Sequence, residues 1–157
     1  MKITLLVVGK TEDKYLLEGM EKYLNRLKHY IGFSLIVIPE LKNTKNLTEA
    51  QQKTKEAESI MKQLSNADQV VLLDEKGKKY TSMQFSAYLN KQMIGSVQHL
   101  VFIIGGPYGF DESIYARADS SLSLSDMTFS HQMVRLFFIE QLYRAFSILK
   151  GEPYHHE

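Results

Sequence analysis

The chain has 157 residues, enough for one domain with a substantial core and short for two, so a single unit over 1–157 is expected. Its 19 Lys and Arg stand against 18 Asp and Glu, a balance without the basic excess of a general nucleic-acid binder, so any RNA site has to be a local patch. With no cysteine, disulfides, thiolate metal sites and cysteine nucleophiles are excluded together, and a reducing, cytoplasmic setting fits.

The opening apolar run is too short for a membrane-spanning helix and has no small-residue cleavage pattern. Ile3 to Val8 instead predicts a strand buried on both faces, ending at Gly9. Thr11, followed by Glu12 and Asp13, predicts a helix start, and Leu16, Met20, Leu24, Leu27 and Ile31 recur at helical spacing after it. Phe33 to Ile38, stopped by Pro39, is a second strand, and the polar tract Glu40 to Asn46, with Lys42 and Lys45, an exposed loop. Thr48 to Leu64 reads as a helix with a thin apolar stripe of Ala57, Ile60, Met61 and Leu64. Gln69 to Asp74 is a third strand, Glu75 to Lys79 a turn, Ser82 to about Gln92 a helix stopping near Gly95, and Leu100 to Ile104 a fourth strand.

Strands alternating with helices predict an α/β layer fold with a largely parallel sheet. Ligands of such sheets sit beyond the carboxyl ends of the strands, where Asp74 and Gly105 stand. The loop Gly105-Gly106-Pro107-Tyr108-Gly109 follows the fourth strand directly. Such a loop is at least as often a plain tight turn as a cofactor cradle.

Ser121 to Ser125 alternates polar and apolar at period two, as an extended segment does, and helical character resumes from about Thr128. The final helix is apolar around most of its circumference, including four consecutive residues, Leu136 to Ile139. A helix apolar all round must be buried all round, so a second copy of the chain is expected to cover part of it in a twofold dimer. His131 and Arg135, four apart, share a face; Glu140 and Arg144 have the spacing and order of an intrahelical ion pair, and Arg144 is about half a turn out of phase with Arg135.

"IIGGPYG", "LSLSDMTFSHQMVRLFFIEQLYRAFSI" and the closing "GEPYHHE" together resemble the RlmH family, ribosomal RNA large-subunit methyltransferases of the SPOUT (α/β-knot) superfamily. "ITLLVVGK" at the N-terminus and the overall length fit as well. The resemblance implies a homodimer with a C-terminal trefoil knot, a topology that periodicity would never suggest. It implies S-adenosylmethionine as methyl donor, with no metal, and N3 of a pseudouridine in 23S ribosomal RNA within the 70S ribosome as acceptor; membrane and DNA are not implied partners. Motif by motif it implies a cofactor pocket of Leu73, Gly105, Leu124, Ser125, Asp126, Met127, Thr128 and Phe129. His131, Arg135, Arg144, Tyr154 and His155 are the implied substrate-handling residues. The family pattern has Pro where this chain has Ser130, and Arg or Lys where it has His156. Serine suits a helix start, whereas a partly charged histidine weakens a phosphate contact.

A sulfonium methyl is already electrophilic, so the work left to the protein is positioning. Glycines allow close backbone approach, and exposed peptide groups from Leu124 to Phe129 can read an adenine edge without charged side chains. The N3 of pseudouridine bears a proton, so a base near neutral pH is needed: His155 is preferred over His131, with Arg135 or Arg144 stabilising charge on the flanking carbonyls. Bland roles stand beside these. A terminal His155-His156 pair is commonly a solvated tail, His131 a cap, Tyr154 a surface anchor or a stacking platform for a base, and Lys76, Lys78 and Lys79 a solvated turn. Two rivals remain: a ribosome-associated RNA binder without catalysis, and a dinucleotide oxidoreductase, which lacks the G-x-G-x-x-G expected after the first strand.

Overall fold

The first strand sets the architecture. In β1 (Lys2–Val8), Ile3, Leu5 and Val7 point into one apolar layer while Leu6 and Val8 point into another, so the strand is buried on both faces as its unbroken apolar run predicts. The structure, a computed structural model, describes residues 1–156, and Glu157, the last residue of the expected domain, lies outside them. Around β1 run β2 (Gly32–Ile38), β3 (Gln69–Lys79), β4 (His99–Ile104) and β5 (Ser120–Ser123), in the order β2-β1-β4-β3-β5 with every neighbouring pair parallel. Helices α1 (Lys14–Leu27), α3 (Ser82–Ile94) and α5 (Met133–Leu149) cover one face; α2 (Glu49–Met61) and α4 (Glu112–Arg117) cover the other. The expected α/β fold with a parallel sheet is what forms, as a single three-layer unit.

Local signals account for most boundaries. Thr48 and Thr81 each cap a helix in a reciprocal box with Gln51 and Gln84, satisfying donors that the first turn leaves free. The first helix starts at Lys14 rather than at Thr11, because the Thr11 hydroxyl is used elsewhere: it accepts from Arg135 and donates to Met20 Sδ. Helix α4 is absent from the sequence expectations; at six residues it is too short for periodicity to register, and the Asp111 carboxylate starts it by accepting from Ser113 N–H at 3.0 Å.

Two expected boundaries are corrected near the carboxyl edge. The expected turn Glu75–Lys79 lies within β3, whose register against β5 breaks so that both Leu73 and Lys78 pair with Leu122. Residues 74–77 bulge out between these two pairings. The last helix starts at Met133, not near Thr128; the Ser130 hydroxyl accepts from Met133 N–H at 3.0 Å and its carbonyl from Val134 N–H at 3.0 Å, so residues 128–132 lead in without being helical.

Helix α5 is flanked by α1 and α3 on the sheet, which buries Phe138, Ile139, Leu142, Ala145 and Phe146 within one chain. Much of the burial that its composition demands is therefore met without a partner. Met133 and Phe137 keep 39% and 40% exposure and mark the face left over. At the amino ends of the strands, His99 bridges Thr4 Oγ1 at 2.7 Å and Asp68 at 2.8 Å. That order of acid, imidazole and hydroxyl resembles a nucleophilic triad, but Thr4 is only 2% exposed, so the set clamps three strand starts.

Candidate active site

At the carboxyl ends of β3, β4 and β5 lies a cavity of about 520 Å³, inside the range of roughly 300–1,000 Å³ usual for small-molecule sites. Its floor is apolar, from Leu73, Ile104, Leu122 and Leu124; one wall is the glycine loop and the other the segment from Ser125 to His131. Leu73, Gly105, Leu124, Ser125, Met127, Thr128, Phe129 and His131 all line it, so these sequence candidates come together. Asp126 does not line it. Its carboxylate pairs with Lys79 on the surface, anchoring the segment from behind.

The segment holds its shape through short-range bonds. Ser123 Oγ donates to the Ser125 carbonyl at 2.9 Å, Met127 N–H donates to Ser125 Oγ at 2.9 Å, and Thr128 Oγ1 donates to Glu75 Oε1 at 2.9 Å. The bulge of β3 and the segment after β5 thus clasp each other. Opposite them, Gly109 N–H donates to the Gly106 carbonyl at 3.2 Å and closes the glycine loop as a tight turn. Both sequence readings of that loop coexist: it is a turn, and it borders the cavity.

Arg135 is not brought to the cavity. Its side chain is 0% exposed and points under the sheet edge, donating to the carbonyls of Val8 (2.7 Å), Gly9 (2.7 Å) and His131 (3.1 Å) and to Thr11 Oγ1 (3.1 Å). Burial pulls its pKa down, against the opposing pull of Glu40 and Glu12. The guanidinium ties the end of β1 to the start of α5, and so fixes the backbone of His131 at the cavity wall.

Glu56 is a residue that sequence reasoning missed. It sits on α2 among polar neighbours, yet is buried with its carboxyl directly behind the glycine loop: a Cβ on Gly106 would lie 2.4 Å from its Oε1. Burial raises its pKa, with the charge of Glu40 adding to the effect. No sequence signal separates such a residue from the solvated glutamates of the same helix.

The remaining candidates gather at the far end of α5. Arg144 donates to Glu140 Oε1 from Nη2 at 2.7 Å and from Nε at 3.1 Å, which is the expected ion pair. Nη1 of Arg144 lies 3.1 Å from Nδ1 of His155; a guanidinium only donates, so Nδ1 accepts and the ring proton sits on Nε2. The Tyr154 hydroxyl donates to Glu140 Oε1 at 2.7 Å, its ring packs edge-on against Tyr143 at 4.7 Å, and the Arg144 guanidinium lies 4.6 Å over it. The tail is therefore docked rather than loose. Met133 to Arg144 spans roughly 16 Å of helix, so one chain keeps His131 and the Arg144–Tyr154–His155 cluster apart. Of the basic turn, Lys79 pairs with Asp126, Lys78 lies 5.0 Å over Tyr80, and Lys76 lines the cavity. Among the described residues no helix is long and apolar enough to cross a membrane.

Compared with known proteins, residues 1–155 match a family model described as "Predicted SPOUT methyltransferase". A protein of Parabacteroides distasonis named Ribosomal RNA large subunit methyltransferase H is 60% identical over 157 residues, covering 100% of both chains. Proteins of the same name from Flavobacterium johnsoniae and Bacteroides thetaiotaomicron are 57% and 53% identical, again over 100% of both chains.

Proposed function

We propose, from the premise that the chain belongs to the SPOUT methyltransferase family, that it transfers a methyl group from S-adenosylmethionine to N3 of a pseudouridine in 23S ribosomal RNA, at position 1915. It does so on the assembled 70S ribosome, in the cytoplasm, as a homodimer of one-domain chains (1–157) whose C-terminal portion is threaded as a trefoil knot. The observation that carries the reading is the cavity at the strand ends, walled by a glycine loop on one side and the segment from Ser125 to His131 on the other, with Asp74, Glu75 and Lys76 of the β3 bulge at its border. Its size, apolar floor and exposed backbone suit an adenosine flanked by a charged arm.

Bound there, the donor supplies an electrophilic sulfonium methyl. Leu73 and Leu124 would hold its apolar surface, Gly105 would allow close approach, and the peptide groups from Ser125 to Phe129 would read the adenine edge, with Asp126 holding that segment through Lys79. The substrate-handling groups are His131, Arg144, Tyr154 and His155. Arg144, drawn to a carbonyl oxygen beside N3, stabilises the charge developing there and at the same time releases Nδ1 of His155, which then takes the N3 proton. Tyr154 stacks on the base. Arg135 acts through the backbone of His131 and touches neither ligand. The separation of cavity and tail along α5 supports a site completed by the second copy, docked through the face of Met133 and Phe137.

The test uses ribosomes from cells lacking the protein, incubated with the purified chain and S-adenosylmethionine, with the methylated nucleotide located by mass spectrometry. The methyl group is expected on N3 of that pseudouridine. His155→Ala is expected to lower single-turnover rates on the order of 100-fold while leaving calorimetric affinity for the donor nearly unchanged. A methyl group elsewhere, or full activity in the variant, contradicts the reading.

A further inference from the structure

The roles above leave Asp74 unused, although it faces the cavity. It is the first residue of the β3 bulge, immediately after the Leu73–Leu122 pairing, and its carboxylate is held at both oxygens. Oδ1 accepts from the Lys76 backbone N–H at 2.9 Å, and Oδ2 accepts from the Tyr115 hydroxyl, which reaches over from α4. Burial, then the bond to Asp74, pushes the Tyr115 phenol up to about 12, so it stays a donor at neutral pH. Two fixed donors leave the carboxylate little rotational freedom.

The charges around it are unbalanced. Asp74 and Glu75 face the cavity against Lys76, leaving a formal charge of −1 when His131 is neutral. S-adenosylmethionine carries a sulfonium, an ammonium and a carboxylate, one net positive charge; its demethylated thioether product carries none. The two differ by a single methyl group in shape and by a full charge in electrostatics.

We propose that Asp74 is a specificity-determining residue whose anchored carboxylate makes the cavity prefer the cationic donor to its neutral product, so that loss of the methyl group itself loosens the spent cofactor. This rests on the reading that the cavity holds the donor. The bulge explains why the residue lies there: four residues inserted between two pairings to one strand turn Asp74 out of the ladder and towards the cavity. A unit charge acting at an effective dielectric constant of about 20 across a small cavity changes affinity on the order of tenfold.

The experiment is calorimetric titration of the full chain with S-adenosylmethionine and, separately, with the thioether product. The unaltered chain is expected to bind the donor more tightly, with a preference that shrinks as salt rises. Asp74→Asn is expected to cut the preference about tenfold, mostly through weaker donor binding, whereas Asp74→Glu, which keeps the charge, retains it. The proposal is overturned if the unaltered chain binds both equally, if its preference is indifferent to salt, or if Asp74→Asn leaves it intact. A chain that binds neither compound instead removes the donor reading itself.

Discussion

Gly77→Val is expected to detach the fifth strand and abolish the cavity with it. A Cβ at this position would lie 2.6 Å from the backbone N and C of Leu122 and 2.7 Å from the backbone C of Ser121. Those atoms belong to β5, held by pairing to β3 on both sides of the bulge, so the overlap cannot be relieved by a side-chain rotation. Because β5 leads directly into the segment from Leu124 to His131, its displacement removes a whole wall. Overpacking against a fixed backbone costs about 3 kcal/mol or more, and at this chain length thermal unfolding should begin roughly 6–12 °C lower. Circular dichroism melts check the stability, and calorimetry with S-adenosylmethionine checks the cavity. An unchanged melting curve contradicts the tight approach.

Arg135→Met is expected to be similarly damaging for the opposite reason, because it removes rather than adds. Methionine keeps much of the volume of the stem but leaves the carbonyls of Val8, Gly9 and His131 without their shared donor. Buried acceptors stripped of a charged donor cost about 1–3 kcal/mol each, and the loss should total on the order of 4 kcal/mol once some rearrange to water or to one another. A drop of about 10 °C in the melting midpoint is expected. Arg135→Lys should recover little, since one ammonium cannot replace a fork that spans separate carbonyls. A Met variant with a native melting midpoint would show that these bonds carry no net stability.

Arg135 also marks where the sequence stops being informative. Its spacing from His131 predicts one shared helical face, but His131 lies before the start of α5 at Met133, and the guanidinium touches its backbone carbonyl rather than its ring. What spacing cannot reveal is that the ends of β1 and α5 meet, which turns that face inward and makes the arginine a tie between backbones. The layers themselves were legible, because the apolar runs of β1, β3 and β4 are long enough to demand burial on two faces. So were the helix starts at Thr48 and Thr81, where capping is a local matter.

The bulge at residues 74–77 was half legible. Lys and Gly announced a turn, but the return of the chain to the same partner strand depends on Leu122, far along the sequence. Glu56 was invisible for a similar reason, since its buried carboxyl lies against Gly106, far along the sequence. The family was legible in its motifs, and the match over residues 1–155 bears that resemblance out. The all-round apolar character of α5 turned out to be satisfied largely by α1 and α3, leaving Met133 and Phe137 partly exposed, the face on which the proposed second copy would dock.

The central claim is that the donor cavity of one chain works with the docked tail of another. Mixing two inactive variants tests it most directly: Gly105→Val, which presses on the Phe110 ring beside the cavity, and His155→Ala, which removes the proposed base. If subunits exchange and the site spans two chains, each mixed dimer contains one intact site, and about a quarter of unaltered activity should return on ribosomes. Activity that stays at the level of the separate variants after demonstrated exchange would place cavity and tail in the same chain and contradict the account.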